Sequence, residues 1–303
     1  MSVAPEWVAV DWGSSNLRAW AMGPDGVLAE DASEAGMASL DAAGFEPALL
    51  ELIEPWLGAA RAPLPVVICG MAGAKQGWRE APYRKVPCAP IEAGQLTSVP
   101  TADPRLRVGI APGLSQPQPA DVMRGEETQI AGALALYPRF DGVICLPGTH
   151  SKWAHVSAGE VVSFQTFMTG EMFALLAEQS VLRHSVQSDG WDEAAFTTAV
   201  GETLSRPERL AAKLFGLRAE GLLQGLSADS ARARLSGLLI GAELAAAKPY
   251  WLGQDVALIG APRLSRNYAA ALSLQGITAR QLSGRDCTLA GLAVLAGKFG
   301  NSP

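Results

Sequence analysis

The first residues of this 303-residue chain that could do chemistry lie in Val8-Ala9-Val10-Asp11-Trp12-Gly13-Ser14-Ser15-Asn16-Leu17-Arg18. An apolar strand runs into an aspartate, then a turn of glycine and short polar residues, then a second strand. Gly13 lets the backbone approach a ligand closely, and Ser14, Ser15 and Asn16 add donors. Several N–H and hydroxyl groups can therefore converge on one anion. Asp11 is the acceptor-only group required when such an anion arrives with a divalent cation. Taken alone, the window is equally an ordinary hairpin with a polar turn.

Further along, the buried-type run Gly142–Leu146 opens into Pro147-Gly148-Thr149-His150-Ser151-Lys152, a second polar turn after a strand. Between the two turns, Glu126 and Glu127 stand at the start of a predicted helix. Acids there complement the positive helix end by roughly 0.3–1 kcal/mol each, with or without any other role. Arg18, Arg124 and Lys152 are the cations placed to meet phosphate or a carboxylate, which arginine grips with two parallel hydrogen bonds. Gly70-Met71-Ala72-Gly73-Ala74-Lys75-Gln76-Gly77-Trp78-Arg79 is too rich in glycine for core and follows a short apolar strand, the end of an open α/β sheet where ligands bind. Lys75, Trp78 and Arg79 could meet an acidic sugar there. A third glycine loop, Gly260-Ala261-Pro262-Arg263, joins a strand to a helix.

Composition narrows what these groups can serve. With 49% apolar and 18% charged residues the chain is a folded globular protein, long enough for two domains. A net charge of −6 excludes a broad nucleic-acid or anionic-membrane footprint, so anion binding must be local. No apolar segment is long enough to span a bilayer: 235–247 is the most apolar and is interrupted by Glu243. Met1–Glu6 shows no basic stretch leading into an apolar core, as a signal peptide would. Cys69, Cys88, Cys145 and Cys287 have no C-x-x-C spacing, which predicts reduced structural thiols in the cytoplasm. His155 and His184 are expected to be structural. There is no G-x-x-x-x-G-K-[ST], G-x-G-x-x-G, G-x-S-x-G or H-E-x-x-H.

The elements that must position these groups follow from periodicity. Residues 7–12, 17–22 and 27–31 predict a three-stranded meander, 45–60 a helix and 65–69 a buried strand. Residues 82–121 are rich in proline and turns, with one strand at 107–111. Helix 125–137, strand 142–146, strands 153–157 and 160–167 and helix 170–182 follow. Three helices (189–204, 207–218, 229–248), a strand at 255–259 with a helix after it, and a last helix at 288–298 complete the chain. The chain also repeats itself in pattern. Gly13 and Gly148, 135 residues apart, each open a polar turn after an apolar strand. Two strands and a glycine-methionine segment (Ala35-Gly36-Met37; Thr169-Gly170-Glu171-Met172) come after each.

Two phosphate-type hairpins, helices at 125–137 and 288–298 and a glycine loop at 260–267, in this order, resemble the acetate kinase, sugar kinase, Hsp70 and actin superfamily. The segments Asp11–Trp20, Gly70–Gly73, Met123–Gln129, Leu146–Trp153, Met168–Glu171 and Ser236–Glu243 are more specifically similar to the 2-dehydro-3-deoxygalactonokinases, over nearly the whole chain. The resemblance implies an α/β fold of two RNase-H-like (actin-like ATPase) domains, 1–124 and 125–303, with a central cleft and hinge. It implies transfer of the ATP γ-phosphoryl group to the 6-hydroxyl of 2-dehydro-3-deoxy-D-galactonate with Mg²⁺. By the same resemblance Asp11 holds the metal, and Glu126 or Glu127 takes the acceptor proton. Gly13, Ser14, Ser15, Asn16, Arg18, Gly148, Thr149, His150 and Lys152 bind phosphate, and Gly260, Ala261 and Arg263 bind the nucleotide. Trp12, Gly36, Met71, Gly73, Trp78, Arg79 and Arg124 are then expected at the sugar acid. The expected partners are small molecules, with neither nucleic acid nor membrane; a homodimer is compatible with this reading. One departure matters: Pro147 stands where the superfamily's second motif often has an acid, so metal binding leans on Asp11 and the carboxylates near 126. The alternatives are a kinase for another sugar or sugar acid, such as 2-dehydro-3-deoxy-D-gluconate, and a non-catalytic actin-like nucleotide-binding regulator.

Overall fold

The computed structural model describes residues 4–58 and 62–299. The chain forms two compact units, one of Met1–Phe140, Ser157–Ser163 and Gly284–Pro303, the other of Asp141–Val156 and Phe164–Ser283. Where the sequence reading drew a single boundary at 124/125, the units interleave along the chain.

The first unit opens with the expected meander, β1 (Trp7–Trp12), β2 (Leu17–Gly23) and β3 (Gly26–Ser33), followed by α1 (Phe45–Leu57) and β4 (Leu64–Gly70). Residues 59 and 60, where the predicted first helix ends, lie outside the described residues. Instead of one strand in 82–121 there are several: β5 (Tyr83–Lys85), β6 (Thr97–Val99), β7 (Leu106–Ile110), β8 (Gly113–Pro117) and β9 (Ala120–Met123). They escape periodicity because most are three to five residues long, half-exposed and broken by prolines. α2 (Glu126–Leu136) follows. The main sheet has the order β3-β2-β1-β4-β7-β6, with β1 antiparallel to β2 and parallel to β4; β5, β8 and β9 form a small separate sheet. β1 is buried on both faces, which is why it reads as a continuous apolar run. Val8, Val10 and Trp12 face Phe45, Leu49 and Ile53 of α1, while Ala9 faces the opposite layer with Val67, Cys69, Leu292 and Leu295.

The second unit repeats the scheme with β10 (Gly142–Leu146), β11 (Ser151–Ser157) and β12 (Glu160–Phe167). Five helices come next: α3 (Thr169–Glu178), α4 (Arg183–Val186), α5 (Glu193–Ser205), α6 (Leu210–Leu223) and α7 (Ala228–Ala246). Then α8 (Lys248–Trp251), β13 (Val256–Gly260), α9 (Pro262–Ser273) and β14 (Arg280–Ser283) complete it. Asp192 caps α5 by accepting the Ala195 N–H, and Ser227 caps α7 by accepting that of Ser230. The sheet order β12-β11-β10-β13-β14 matches β3-β2-β1-β4-β7, with the same antiparallel hairpin and the same parallel continuation. The sequence repeat is thus a repeat of topology.

The last helix, α10 (Gly284–Phe299), returns to the first unit and lies in backbone contact with α2. A Cβ on Gly132 would fall 1.7 Å from the Cys287 carbonyl oxygen, and one on Gly291 2.0 Å from that of Thr128. No helix among the described residues is long and apolar enough to cross a membrane.

Candidate active site

In the first unit the β1–β2 register sets Asp11 opposite Arg18, with carboxylate and guanidinium 3.6 Å apart. Burial raises the Asp11 carboxyl above its ordinary range; Arg18 opposes that shift and the charge of Glu126 adds to it. The turn is closed by the Gly13 N–H donating to the Asn16 carbonyl at 2.8 Å. Its own carbonyls are drawn back: Gly13 and Ser14 accept from the N–H groups of Met37 and Ala38 at 3.0 and 2.9 Å. This needs a glycine at position 36, where a Cβ would lie 2.3 Å from the Ser14 oxygen. Ser14, Ser15, Asn16 and Arg18 remain exposed, so the turn's polar side chains are free to meet an anion.

The adjacent strand ends bring the second set of groups to the same place. Asp11 and Trp12 lie beside Cys69 and Gly70 of β4, and Gly70 in turn lies against Gly125, whose Cβ would be 3.2 Å from its Cα. Gly70 and Gly125 have φ of 90° and 106°, a backbone region that favours glycine. Glu126 and Glu127, neighbours in sequence, part company because successive helix residues turn by about 100°. Glu126 is half-buried, and its Oε2 accepts the Arg124 N–H at 3.0 Å. Glu127 has no exposed surface. It accepts the Gly125 N–H at 2.7 Å and the Thr128 hydroxyl at 3.1 Å. Burial first, then the charge of Glu126, pushes its carboxyl up to about 8.

Arg124 is 8% exposed. One of its nitrogens donates to the Ala81 carbonyl at 2.7 Å, and its plane lies 4.3 Å from the Tyr83 ring centroid. Nε and Nη1 are buried without a hydrogen-bond partner, and among the described residues no carboxylate pairs with it. Gly73 abuts it: a Cβ there would sit 2.7 Å from Nη1. Of the other residues expected at the sugar acid, Trp12 and Gly36 are enclosed, and the Trp12 indole donates to the Ala35 carbonyl. Trp78 stacks on Phe45 and meets Trp12 edge-on, Met71 is half-buried, and Arg79 is exposed.

In the second unit Gly148, Thr149 and His150 form the matching turn, again held from behind. The Glu171 N–H donates to the Thr149 carbonyl at 2.9 Å, and a Cβ on Gly170 would lie 2.2 Å from the Gly148 oxygen. His150 pairs with the Glu171 carboxylate at 2.6 Å. Lys152 is buried in β11 opposite Leu146, whereas Thr149 and His150 are exposed. A cavity of about 390 Å³ opens beside this turn, lined by Gly148, Thr149, Thr169, Ser236, Ala261 and Arg263 among others. Two arginine–aromatic pairs stand at it, Arg263 over Trp191 and Arg232 over Phe173, at 5.3 and 5.2 Å. Gly260 directly precedes the lining residue Ala261, and a Cβ there would be 3.0 Å from the Pro147 carbonyl oxygen.

Sequence reasoning quoted Glu171 within a glycine-methionine segment but gave it no role, and it did not single out Trp191, Phe173 or Arg232, whose spacing carries no motif. It noted Glu243 only as the acid that interrupts an apolar segment and gave it no role, although a lone acid in an alanine- and leucine-rich helix was a usable signal.

The model of the 2-keto-3-deoxy-galactonokinase family matches residues 11–295. A protein of Rhizobium meliloti (strain 1021) named as a 2-dehydro-3-deoxygalactonokinase, DgoK1, is 43% identical over 306 residues, covering 98% of each chain. The 2-dehydro-3-deoxygalactonokinase of Escherichia coli (strain K12) is 36% identical over 299 residues, covering 97% of this chain and 99% of its own. A crystal structure from Sinorhizobium meliloti carrying the same family name superposes with a TM-score of 0.89 at 42% identity, over 98% of both chains. Component A of (R)-2-hydroxyglutaryl-CoA dehydratase from Acidaminococcus fermentans shares the fold alone, with a TM-score of 0.57 at 12% identity over 98% of this chain and 99% of its own. The family model and relatives that match over nearly the whole chain agree: the chain belongs to the 2-keto-3-deoxy-galactonokinase family of carbohydrate kinases.

Proposed function

We propose that this protein transfers the γ-phosphoryl group of ATP to the 6-hydroxyl of 2-dehydro-3-deoxy-D-galactonate. The observation that carries the acid part of this reading is Arg124. A cation so enclosed, with two donors unpaired and no counter-ion, is costly, and an anionic ligand supplies the missing charge. Arg124 is joined to the Asp11–Asn16 turn through Gly125 and Gly70, so an acid requirement adjoins a phosphate-type turn.

Phosphoryl transfer is mostly positioning and charge neutralisation. On the acceptor side Glu126 takes the proton from the 6-hydroxyl, being the member of the acidic pair that is not enclosed. Glu127, hydrogen-bonded to Gly125 and Thr128, fixes the start of α2. Trp12, Trp78 and Gly36 support the acid-sugar loop and the turn, and Met71, Gly73 and Arg79 border the sugar acid. On the nucleotide side Gly148, Thr149 and His150 meet phosphate, while Gly260, Ala261 and Arg263 flank the base and ribose. Ser14, Ser15, Asn16 and Arg18 neutralise the transferring group. Asp11, within electrostatic reach of Glu126, suits magnesium, which takes one or two carboxylates and completes its shell with phosphate oxygens and water. Among the described residues no three His, Cys, Asp or Glu side chains cluster as a metal cage. When bound, that ion offsets the phosphate charge. The reading places the protein in the cytoplasm, where its four free cysteines stay reduced.

A coupled assay of ADP release with a panel of 2-keto-3-deoxy sugar acids and plain sugars tests this. ADP release that depends on the galactonate-derived acid and exceeds that with its gluconate epimer is expected; no release with any acid overturns the reading. In the same assay Glu126→Gln should lower kcat by about 10²–10⁴-fold with little change in KM. A near-normal kcat would remove Glu126 from the reaction.

A further inference from the structure

Glu243 lies in the second half of α7, 3% exposed, and the chemistry proposed above does not use it. Each of its oxygens is engaged. Oε1 accepts the Trp153 indole N–H at 2.7 Å and Oε2 accepts the Tyr268 hydroxyl at 2.7 Å. Thr169 and Ser151 add side-chain hydrogen bonds, and the Ser151 and Tyr268 hydroxyls are 2.9 Å apart. A carboxyl with no exposed face and four polar neighbours from three other elements is an expensive arrangement for packing alone.

Two of those neighbours, Thr169 and Tyr268, line the nucleotide cavity, and a third, Ser151, ends the turn beside it. Ser151 directly follows His150, so it anchors the C-terminal end of the Gly148–His150 turn. Thr169 lines the cavity and precedes Gly170, which presses on the Gly148 carbonyl, and Glu171, whose N–H holds that of Thr149. Tyr268 lines the cavity from α9, whose first turn carries Arg263. Ser236 and Ile240 line it from α7 itself, and Glu243 continues the same face one turn on, since residues three and four apart are stacked.

We propose that Glu243 is a positioning residue for nucleotide binding: one carboxyl locks the phosphate turn, the N-terminus of α3 and the start of β11 to the wall formed by α9. It touches no nucleotide atom itself. The inference rests on the reading of this cavity as the nucleotide site and extends it to a residue outside the cavity lining.

The test is binding of ADP alone to the full-length protein by calorimetry, together with initial-rate kinetics. Glu243→Leu leaves the Trp153 N–H and the Tyr268 hydroxyl without their acceptor. It should weaken ADP binding at least about 10-fold, equivalent to about 1.4 kcal/mol, and raise KM for ATP while KM for the acid stays within about 2-fold. Glu243→Gln keeps an acceptor for Trp153 and offers its amide to the Tyr268 oxygen, so it should restore binding to within about 3-fold of wild type. Should the leucine variant fail to fold, Tyr268→Phe, which removes only the hydroxyl, is expected to shift KM for ATP in the same selective way. Unchanged ADP affinity in Glu243→Leu, or in Tyr268→Phe where that variant is the one available, overturns the proposal. Equal loss of ATP and acid affinity, or of stability alone, overturns it too. Failure of the wild type to bind ADP would instead overturn the nucleotide reading of the cavity.

Discussion

Glu127 keeps a proton that the unfolded chain gives up. A glutamate ordinarily titrates at 4.5, and this one, buried beside Glu126, is pushed up to about 8. Between those values the folded state binds more protons than the unfolded one, so Glu127 subtracts from stability as the pH rises. Glu127→Gln mimics the neutral form, because the amide oxygen can accept from Gly125 and the amide nitrogen can donate to the Thr128 hydroxyl. The Tm of this variant relative to wild type should therefore climb from about pH 5 to about pH 8 and level off outside that window. Thermal denaturation across the range measures it, and a gap that does not move with pH would mean that Glu127 is ionised throughout. At the neighbouring position Glu126 is less enclosed, which suits the acceptor-side role proposed for it.

At the scale of elements, the two turns work because something behind them removes their carbonyls. A glycine-methionine segment does this for Gly13 and Ser14, and the start of α3 does it for Thr149. α2 depends on a similar intimacy. Gly291 of α10 lies against the Thr128 carbonyl, so Gly291→Ala must shift the first turn of α2, which carries Glu126. A loss of about 1–3 kcal/mol in denaturant unfolding is expected, together with a drop in kcat. Normal kcat in a destabilised variant would uncouple the two. Much of this framework was legible in the sequence. Apolar runs ending in Asp11 and Leu146 mark strands buried on both faces, and their turns carry glycine at matching points. The short strands were not, since Arg280–Ser283 and Tyr83–Lys85 have no apolar run and gain their pairing from neighbours distant in sequence. Spacing also could not separate Glu126 from Glu127, because which of two adjacent helix residues is enclosed depends on what packs against that helix. The burial of Arg124 was hidden for the same reason: Gly73, Ala81 and Tyr83 reach it from a separate stretch of chain.

Across the whole molecule, the first unit is not continuous in sequence. Leu292 and Leu295 of α10 close the layer over Ala9, Val67 and Cys69, so the sheet that carries Asp11 is completed by the chain's last helix. Removing residues 284–303 should strip that layer. In hydrogen exchange, β1 and β4 are expected to lose protection while β10 and β13 keep theirs, their strands and covering helices lying within residues 141–283. Uniform loss in both sheets would show that the two units unfold together.

The same interleaving bears on how the protein is made. Domains usually fold in the order in which they leave the ribosome, the N-terminal one first. Here β1 and β4 emerge early, yet the helix that covers their sheet, α10, is translated after every strand of the second sheet. During synthesis the second unit can finish while the first still exposes the apolar face of Ala9 and Val67, so of the two units the one begun earlier is completed later.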